Sequence, residues 1–455
     1  MKLYTPLDLQ SLAKGKKPLA RRHSKKNSPL KGAYIYRIGA RPYHRMFTSP
    51  CPCKGLIQQK QRTMIDFTFY SPTEFVFGKN TEEKTGQLAL RYGASKALVI
   101  YGGGSAVKSG LLGRVENALQ AQGITTVLMG GVRPNPTDSK VYEGIETVKR
   151  EDTDFIIAVG GGSVIDTAKA IACGVKYDGD FWDFFIGKAQ VAEALPVGVV
   201  LTIPAAGSEG SGNAVITKES TQQKLGIKHP MTLRPKFAIM NPELTMTLPA
   251  WQTASGICDM MIHILERYFT NTEDTEIGDR MCEGVLTAII NEGRKVMENP
   301  MDYGARANIM WSGMVAHNGT CGVGCVEDWS SHQLEHEVSA MYDVTHGAGL
   351  AVITPAYMTF MAKHHPARIA QFAVRVMGVT QDFGNEEAIA MEGVRRFKAF
   401  LHDDLKLPVT FNQLGIENPD IPEMVKRLHN NKGTKFGLFY PITPEVSEEI
   451  YKLGM

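Results

Sequence analysis

The sequence predicts an α/β domain with a mostly parallel sheet over residues 64–242, followed by an all-α domain over residues 243–455. Three observations carry that reading. Short β-rich runs alternate with helical stretches between about 95 and 240, the spacing of a sheet covered on both faces. Two of those runs end in glycine triplets. Beyond about 243 the strand-like runs largely stop and long amphipathic segments replace them.

Residues 1–63 precede both domains and differ from them in composition. They hold fifteen basic side chains, one acid (Asp8) and six prolines, a formal charge of +14, whereas the remaining 392 residues carry −11. With little apolar periodicity the segment cannot offset its ordering entropy by burial, which predicts a disordered basic extension. Its charge suits an acidic surface or nucleic acid, and its Arg- and Ser-containing, nearly acid-free composition suits an organelle transit peptide. A translated leader ahead of a start at Met64 is the alternative to both. Met64 opens Ile65-Asp66-Phe67-Thr68-Phe69-Tyr70, which alternates as a strand does.

Next, Ala97 to Tyr101 reads as a strand ending at Gly102-Gly103-Gly104-Ser105, with a helix from Gly110 to Gln122. Thr125 to Met129 reads as a strand and Ser139 to Glu151 as a helix; Asp154 to Val159 then runs into Gly160-Gly161-Gly162-Ser163 and a helix from Val164. In the second domain, Met260 to Phe269, Ile277 to Met297, Ala305 to His317 and Glu387 to His402 read as amphipathic helices. A chain of 455 residues with 43% hydrophobic side chains is long enough to bury a large core without disulfides. Its longest nearly uncharged apolar stretch, Leu195 to Gly207, is far short of the roughly 18 residues that a membrane-spanning helix needs. Seven cysteines without a repeated spacing predict free thiols in a reducing, cytoplasmic setting.

Glycine lets backbone N–H groups approach a ligand without a Cβ clash, and a helix N-terminus adds partial positive charge, so two triplets at strand ends suit the phosphates of a dinucleotide. Tight strand-to-helix turns are the bland alternative. The first triplet contains no Asp or Glu and is followed by Lys108, which favours NADP(H) over NAD(H). In the second domain Asp259 and His263 are four apart, on one helix face, and His332 and His336 precede His346. One carboxylate with two or three imidazoles suits Zn²⁺ or Fe²⁺. A rival reading takes His332-Gln333-Leu334-Glu335-His336 as an inverted zinc-peptidase motif, with both His on zinc and Glu335 as base. A third reading is a non-catalytic nucleic-acid binder driven by the basic extension.

Four segments, Phe69 to Gly78, Tyr101 to Ser105, Gly160 to Lys169 and Thr202 to Glu209, resemble the iron-containing (group III) alcohol dehydrogenases. The resemblance is nearest to the butanol dehydrogenase and NADPH-dependent aldehyde reductase branch, and it runs from Met64 to the C-terminus. It implies a dehydroquinate synthase-like fold, with the α/β domain binding the dinucleotide and the helical domain holding one divalent metal, Fe²⁺ or Zn²⁺, on Asp259, His263, His332 and His346. By the same resemblance Gly103, Gly104 and Ser105 lie near the adenosine ribose, Gly161, Gly162 and Ser163 at the pyrophosphate, and Thr202, Ser208 and Lys224 nearer the nicotinamide. Asp166 falls beside the cofactor and is a candidate catalytic residue, and His336 becomes a substrate-side residue and candidate proton relay. The implied enzyme is a homodimer that moves hydride between NAD(P)H and small, mostly apolar aldehydes such as butanal, with no nucleic acid or membrane partner for the catalytic unit.

Overall fold

The structure, a computed structural model, describes residues 63–382 and 384–455. The basic extension expected at residues 1–63 lies outside the described residues except for Thr63. Eight strands follow: β1 (Glu74–Phe77), β2 (Lys96–Tyr101), β3 (Thr125–Met129), β4 (Phe155–Gly160), β5 (Val197–Leu201), β6 (Asn213–Lys218), β7 (Gln223–Lys228) and β8 (Phe237–Met240). Six form a parallel sheet in the order β1-β8-β5-β4-β2-β3, while β6 and β7 pair as an antiparallel hairpin.

β4 and β5 are buried at every position, as central strands of a sheet packed on both faces must be. Alternate side chains leave a strand on opposite faces. Leu98, Ile156 and Val199 join Ile165 and Ile171 of the Gly162–Gly174 helix on one side. Val99, Ile157 and Val200 join Val115 and Leu119 of the Leu111–Gln120 helix on the other. From β2 the chain steps outward to β3, then returns to lay β4 on the opposite side of β2 and β5 beyond it. The order reverses between β2 and β4, and the crevice at the C-terminal ends of such strands is where open α/β sheets bind ligands. Both glycine triplets sit there.

From Ala250 onward the chain is helical. The Ala250–Tyr268 helix is buried without a break from Thr253 to Tyr268, and the Glu276–Glu298, Tyr303–His317, Ser330–Tyr342 and His346–His364 helices share a core with it. A Cβ at Gly347 would fall 2.0 Å from the Ser255 carbonyl, so glycine lets the last of these helices begin hard against the first. No helix among the described residues is long and apolar enough to cross a membrane.

The structure departs from the expected elements in three places. Ile65–Tyr70 forms no regular strand, and Phe67, Phe69 and Tyr70 are exposed. Alternation is half of what a strand needs; the other half is a hydrogen-bonding neighbour, and the sheet begins only at Glu74. The helix expected to reach His402 ends at Ala399 and loosens into a π-turn over Phe400–Asp404. The His346–His364 helix was not expected, because it is buried on nearly all sides and contains Pro355, so it shows no amphipathic period.

Candidate active site

The Ala250–Tyr268 helix presents Asp259 and His263 one turn apart. The Ser330–Tyr342 helix supplies His332; Asp343, in the left-handed conformation (φ 49°), ends it, and a short turn through Thr345 brings His346 back as the first residue of the next helix. Ligand atoms of Asp259, His332 and His346 lie within 4.8 Å of one another. Three imidazole Nε2 atoms approach Asp259 Oδ1, at 3.4 Å from His263, 3.5 Å from His332 and 3.9 Å from His346. These separations exceed the usual N–H···O range of about 2.7–3.2 Å. They are close to the roughly 3.4 Å edge of a tetrahedron whose corners lie about 2.1 Å from one cation. Asp259 Oδ1 and His332 Nε2 are buried with no hydrogen-bond partner, a costly condition for polar atoms that a cation relieves. The residues fit a divalent metal, with His263 completing the tighter group of three.

Two further carboxylates orient the imidazoles. Glu266 holds His332 Nδ1 at 2.5 Å and accepts the His332 backbone N–H at 2.9 Å. Glu335, wholly buried, sits against His346 Nδ1 and accepts the Ser339 hydroxyl. A carboxylate on Nδ1 fixes the tautomer that leaves the Nε2 lone pair facing Asp259. Burial works against protonating His332, but Glu266 and Asp259 more than offset it and lift its pKa to about 10. Burial, reinforced by neighbouring cations and imidazoles, keeps His263 and His336 well below the ordinary histidine range.

Opposite this cluster lies a cavity of about 580 Å³, reaching from Gly103 and Gly161 to Asp259 and His346. None of the triplet glycines has a positive φ, so turn conformation does not require them. At Gly160 an added Cβ would come within 2.4 Å of Val164, a packing reason, but at Gly103 it would meet nothing within 4 Å. Gly103 is exposed and lines the cavity, so a side chain there would enter open space. No side chain caps the Gly162–Gly174 helix, leaving its first N–H groups available to an anion.

Most other predicted residues also line the cavity: Ser105, Gly162 and Ser163 at the glycine end, Thr202, Ser208 and Lys224 along its length, and His336 beside the histidine cluster. Gly104 does not line it. Asp166 does, but both its oxygens are engaged, by the Ser208 hydroxyl at 2.6 Å and the Val215 N–H at 2.9 Å. Lys169, fully buried, donates to the carbonyls of Ser208, Ser211 and Asn213. Together Asp166 and Lys169 clamp the loop after β5 onto the Gly162–Gly174 helix.

A model of the iron-containing alcohol dehydrogenase family matches residues 72–242, and one of the C-terminal part of that family matches residues 253–453. The chain belongs to the iron-containing alcohol dehydrogenase family. It is 42% identical over 337 residues to a probable NADH-dependent butanol dehydrogenase 1 of Bacillus subtilis, covering 74% of this chain and 87% of that one. With the NADPH-dependent aldehyde reductase YqhD of Escherichia coli it shares 34% over 393 residues, 86% of this chain and 99% of the relative. The crystal structure of NADH-dependent butanol dehydrogenase A from Thermotoga maritima superposes with a TM-score of 0.83 at 40% identity, covering 86% and 99% of the two chains. As a member of this family the chain is an oxidoreductase acting between small alcohols and aldehydes, with a nicotinamide cofactor and a divalent metal.

The peptidase alternative is corrected by the same geometry. It needs His332 and His336 on one ion with Glu335 beside a water. The two rings are 6.3 Å apart and nearly perpendicular, His332 groups with Asp259 and His346 instead, and Glu335 lies buried behind His346. Sequence reasoning missed Glu266 and gave Glu335 the wrong part. The signal for Glu266 was present, since it follows His263 by three and Asp259 by seven on one helical face.

Proposed function

We propose that this dehydrogenase transfers hydride reversibly between NAD(P)H, bound by residues 64–242, and small aliphatic aldehydes such as butanal, with the metal, Fe²⁺ or Zn²⁺, held by residues 243–455. The observation that carries the proposal is the convergence of three Nε2 atoms on Asp259 Oδ1 at one end of a cavity whose other end is an uncapped helix N-terminus among glycines. Asp259, His263, His332 and His346 are the proposed ligands. Bound there, the cation polarises a carbonyl oxygen while the nicotinamide supplies the hydride.

The chain's own residues do the rest. Gly103 and Ser105 receive the adenosine ribose, with Gly104 between them outside the cavity lining, Gly161, Gly162 and Ser163 receive the pyrophosphate, and Thr202 and Lys224 orient the nicotinamide. Ser208 and Asp166 act from behind, by holding the loop that carries Thr202. His336, whose Nδ1 is buried without a partner, accepts a proton at one ring nitrogen and releases one from the other, linking the substrate oxygen to solvent in either direction. The absence of any acid from Gly102 to Ser105 and the nearby Lys108 support NADP(H) over NAD(H), a preference shared by the aldehyde reductase relative but not by the butanol dehydrogenases. A cytoplasmic homodimer is proposed as well, supported by the free cysteines at positions 173, 258, 282, 321 and 325 and the exposed aromatics of Phe67 to Tyr70.

Chelation followed by addition of Fe²⁺ or Zn²⁺, monitored at the nicotinamide absorbance with butanal, tests the reading. Activity should vanish and return with the metal, faster with NADPH than with NADH. Metal-independent turnover, or none with either cofactor, would overturn it.

A further inference from the structure

We infer that Arg133 is the residue that recognises the 2′-phosphate of NADP(H), and therefore the one that sets the cofactor preference of this chain. This rests on the dehydrogenase reading above and deepens it.

The first glycine triplet and the turn after β3 are built as one wall. Gly131 donates its N–H to the Gly102 carbonyl at 2.9 Å, and Val132 donates to that of Tyr101 at 3.3 Å, so the two segments stay paired past the ends of their strands. A Cβ at Gly102 would lie 3.2 Å from the Val132 carbonyl, which keeps the turn close against the triplet. Arg133 comes next, between this pairing and Pro134, and a residue before proline is confined to extended backbone. Beyond it Asn135, at φ 52°, donates to Asp343 at 3.1 Å and accepts from Lys224 at 3.1 Å. The backbone at Arg133 is thus held from both sides, while its side chain is exposed and lines the cavity.

Among the described residues that line the cavity between positions 102 and 136, Arg133 alone carries a charge. Lys108, the cation to which the sequence pointed, does not line it. One contact engages the guanidinium: Nη2 donates to Glu219 at 2.7 Å. Glu219 is itself fixed, its N–H donating to Asp138 at 3.0 Å and its carbonyl accepting from Gln222 at 2.8 Å. An exposed ion pair contributes little stability, but this one aims a planar fork whose N–H donors outnumber the bond made. The remaining donors suit phosphate oxygens, which arginine binds bidentately.

The pyrophosphate does not account for this cation. Its cradle is at the end of β4, and the sheet order β4-β2-β3 puts β3 two strands away, about 10 Å across the sheet. The adenosine ribose, assigned to Gly103 and Ser105 at the end of β2, lies between them. In dinucleotide sites a carboxylate beside the ribose selects the 2′-OH, and an arginine there accommodates a 2′-phosphate. Here the arginine lines the cavity, and Glu219, bonded to it, does not.

Calorimetric titration of the metal-loaded enzyme with adenosine 2′,5′-bisphosphate and with adenosine 5′-monophosphate isolates the extra phosphate. The bisphosphate should bind more tightly by about tenfold or more. Arg133→Met should remove most of that ratio, with the loss confined to the bisphosphate, and Arg133→Lys should retain part of it, because lysine keeps the charge without the fork. In turnover with butanal the effect of Arg133→Met should fall on the KM for NADPH rather than on kcat. Equal affinities for the two nucleotides in the unaltered enzyme would overturn the inference and leave the dehydrogenase standing. A preference for the bisphosphate that Lys108→Met reduces and Arg133→Met does not would assign the phosphate to Lys108 and equally overturn it. If neither nucleotide binds and neither NADPH nor NADH is oxidised, it is the dehydrogenase reading that fails.

Discussion

The two walls of the cleft work in opposite ways. The helical wall acts through side chains: Asp259 and three histidines converge, and Glu266 and Glu335 hold two of the rings from behind. The sheet wall acts through side chains that are missing, since Gly103 leaves open space that a Cβ would enter without touching protein. The buried carboxylates divide in the same way. Glu266 and Glu335 each lie against an imidazole, whereas Glu209, on the loop that follows β5, is buried with Oε1 unpartnered. Identity and orientation are thus fixed on one wall and clearance on the other, and substitutions should separate the two.

The largest effect is expected at Asp259. Asp259→Ala removes the oxygen on which the imidazoles converge, and should cost the bound metal together with at least about a thousandfold in kcat/KM. Metal analysis alongside NAD(P)H oxidation checks both, and a variant retaining its metal would move the site elsewhere. Next come the carboxylates behind the rings: Glu335→Gln should weaken metal affinity by about 10–100-fold, read by competition with a chelating indicator. Unchanged affinity would mean that Glu335 does not orient His346.

The sheet wall should answer differently. Gly103→Ala is expected to raise the KM for the cofactor by about tenfold while leaving the melting temperature unchanged, because the added methyl occupies ligand space. Gly160→Ala, 2.4 Å from Val164, should instead cost about 1–3 kcal/mol of stability. Equal behaviour of the two variants would erase the distinction between clearance and packing.

The smallest effect concerns Glu209, whose carboxyl is pushed from its ordinary 4.5 up to about 7 by burial. Below pH 4.5 both folded and unfolded chains hold the proton. Between pH 4.5 and 7 only the folded chain holds it, so stability falls as pH rises, and above 7 the loss is constant. Glu209→Gln should therefore raise the melting temperature more at pH 8 than at pH 4. A pH-independent shift would contradict the burial argument.

Much of this was legible in the sequence, for reasons that differ between the walls. The parallel sheet followed from alternating β-rich and helical runs, since β2, β3 and β4 are short apolar segments separated by amphipathic helices. Asp259 and His263 were readable because four residues is one helical turn. That His332 and His346 belong together came from family resemblance, because only the turn at Asp343 brings residues fourteen apart onto one point. Periodicity could not reveal the His346–His364 helix, buried on nearly all sides, nor distinguish Ile65–Tyr70 from a true strand, because pairing depends on a neighbour distant in sequence. Lys169 finds its partners 39 to 44 positions away and Glu335 its imidazole 11 positions away, and a linear pattern carries neither. The H-x-x-E-H match was present in the letters, but its Glu, read as a general base, is buried against His346 and Ser339.

The most direct test is a crystal structure of the metal-loaded enzyme with its nicotinamide cofactor, with anomalous diffraction measured at the metal's absorption edge. One peak bounded by Asp259 Oδ1 and the Nε2 atoms of His263, His332 and His346, with the pyrophosphate at the N-terminus of the Gly162–Gly174 helix, is the predicted result. A peak among Glu335, His336 and His346, where ligand atoms also lie within 4.8 Å of one another, would contradict it.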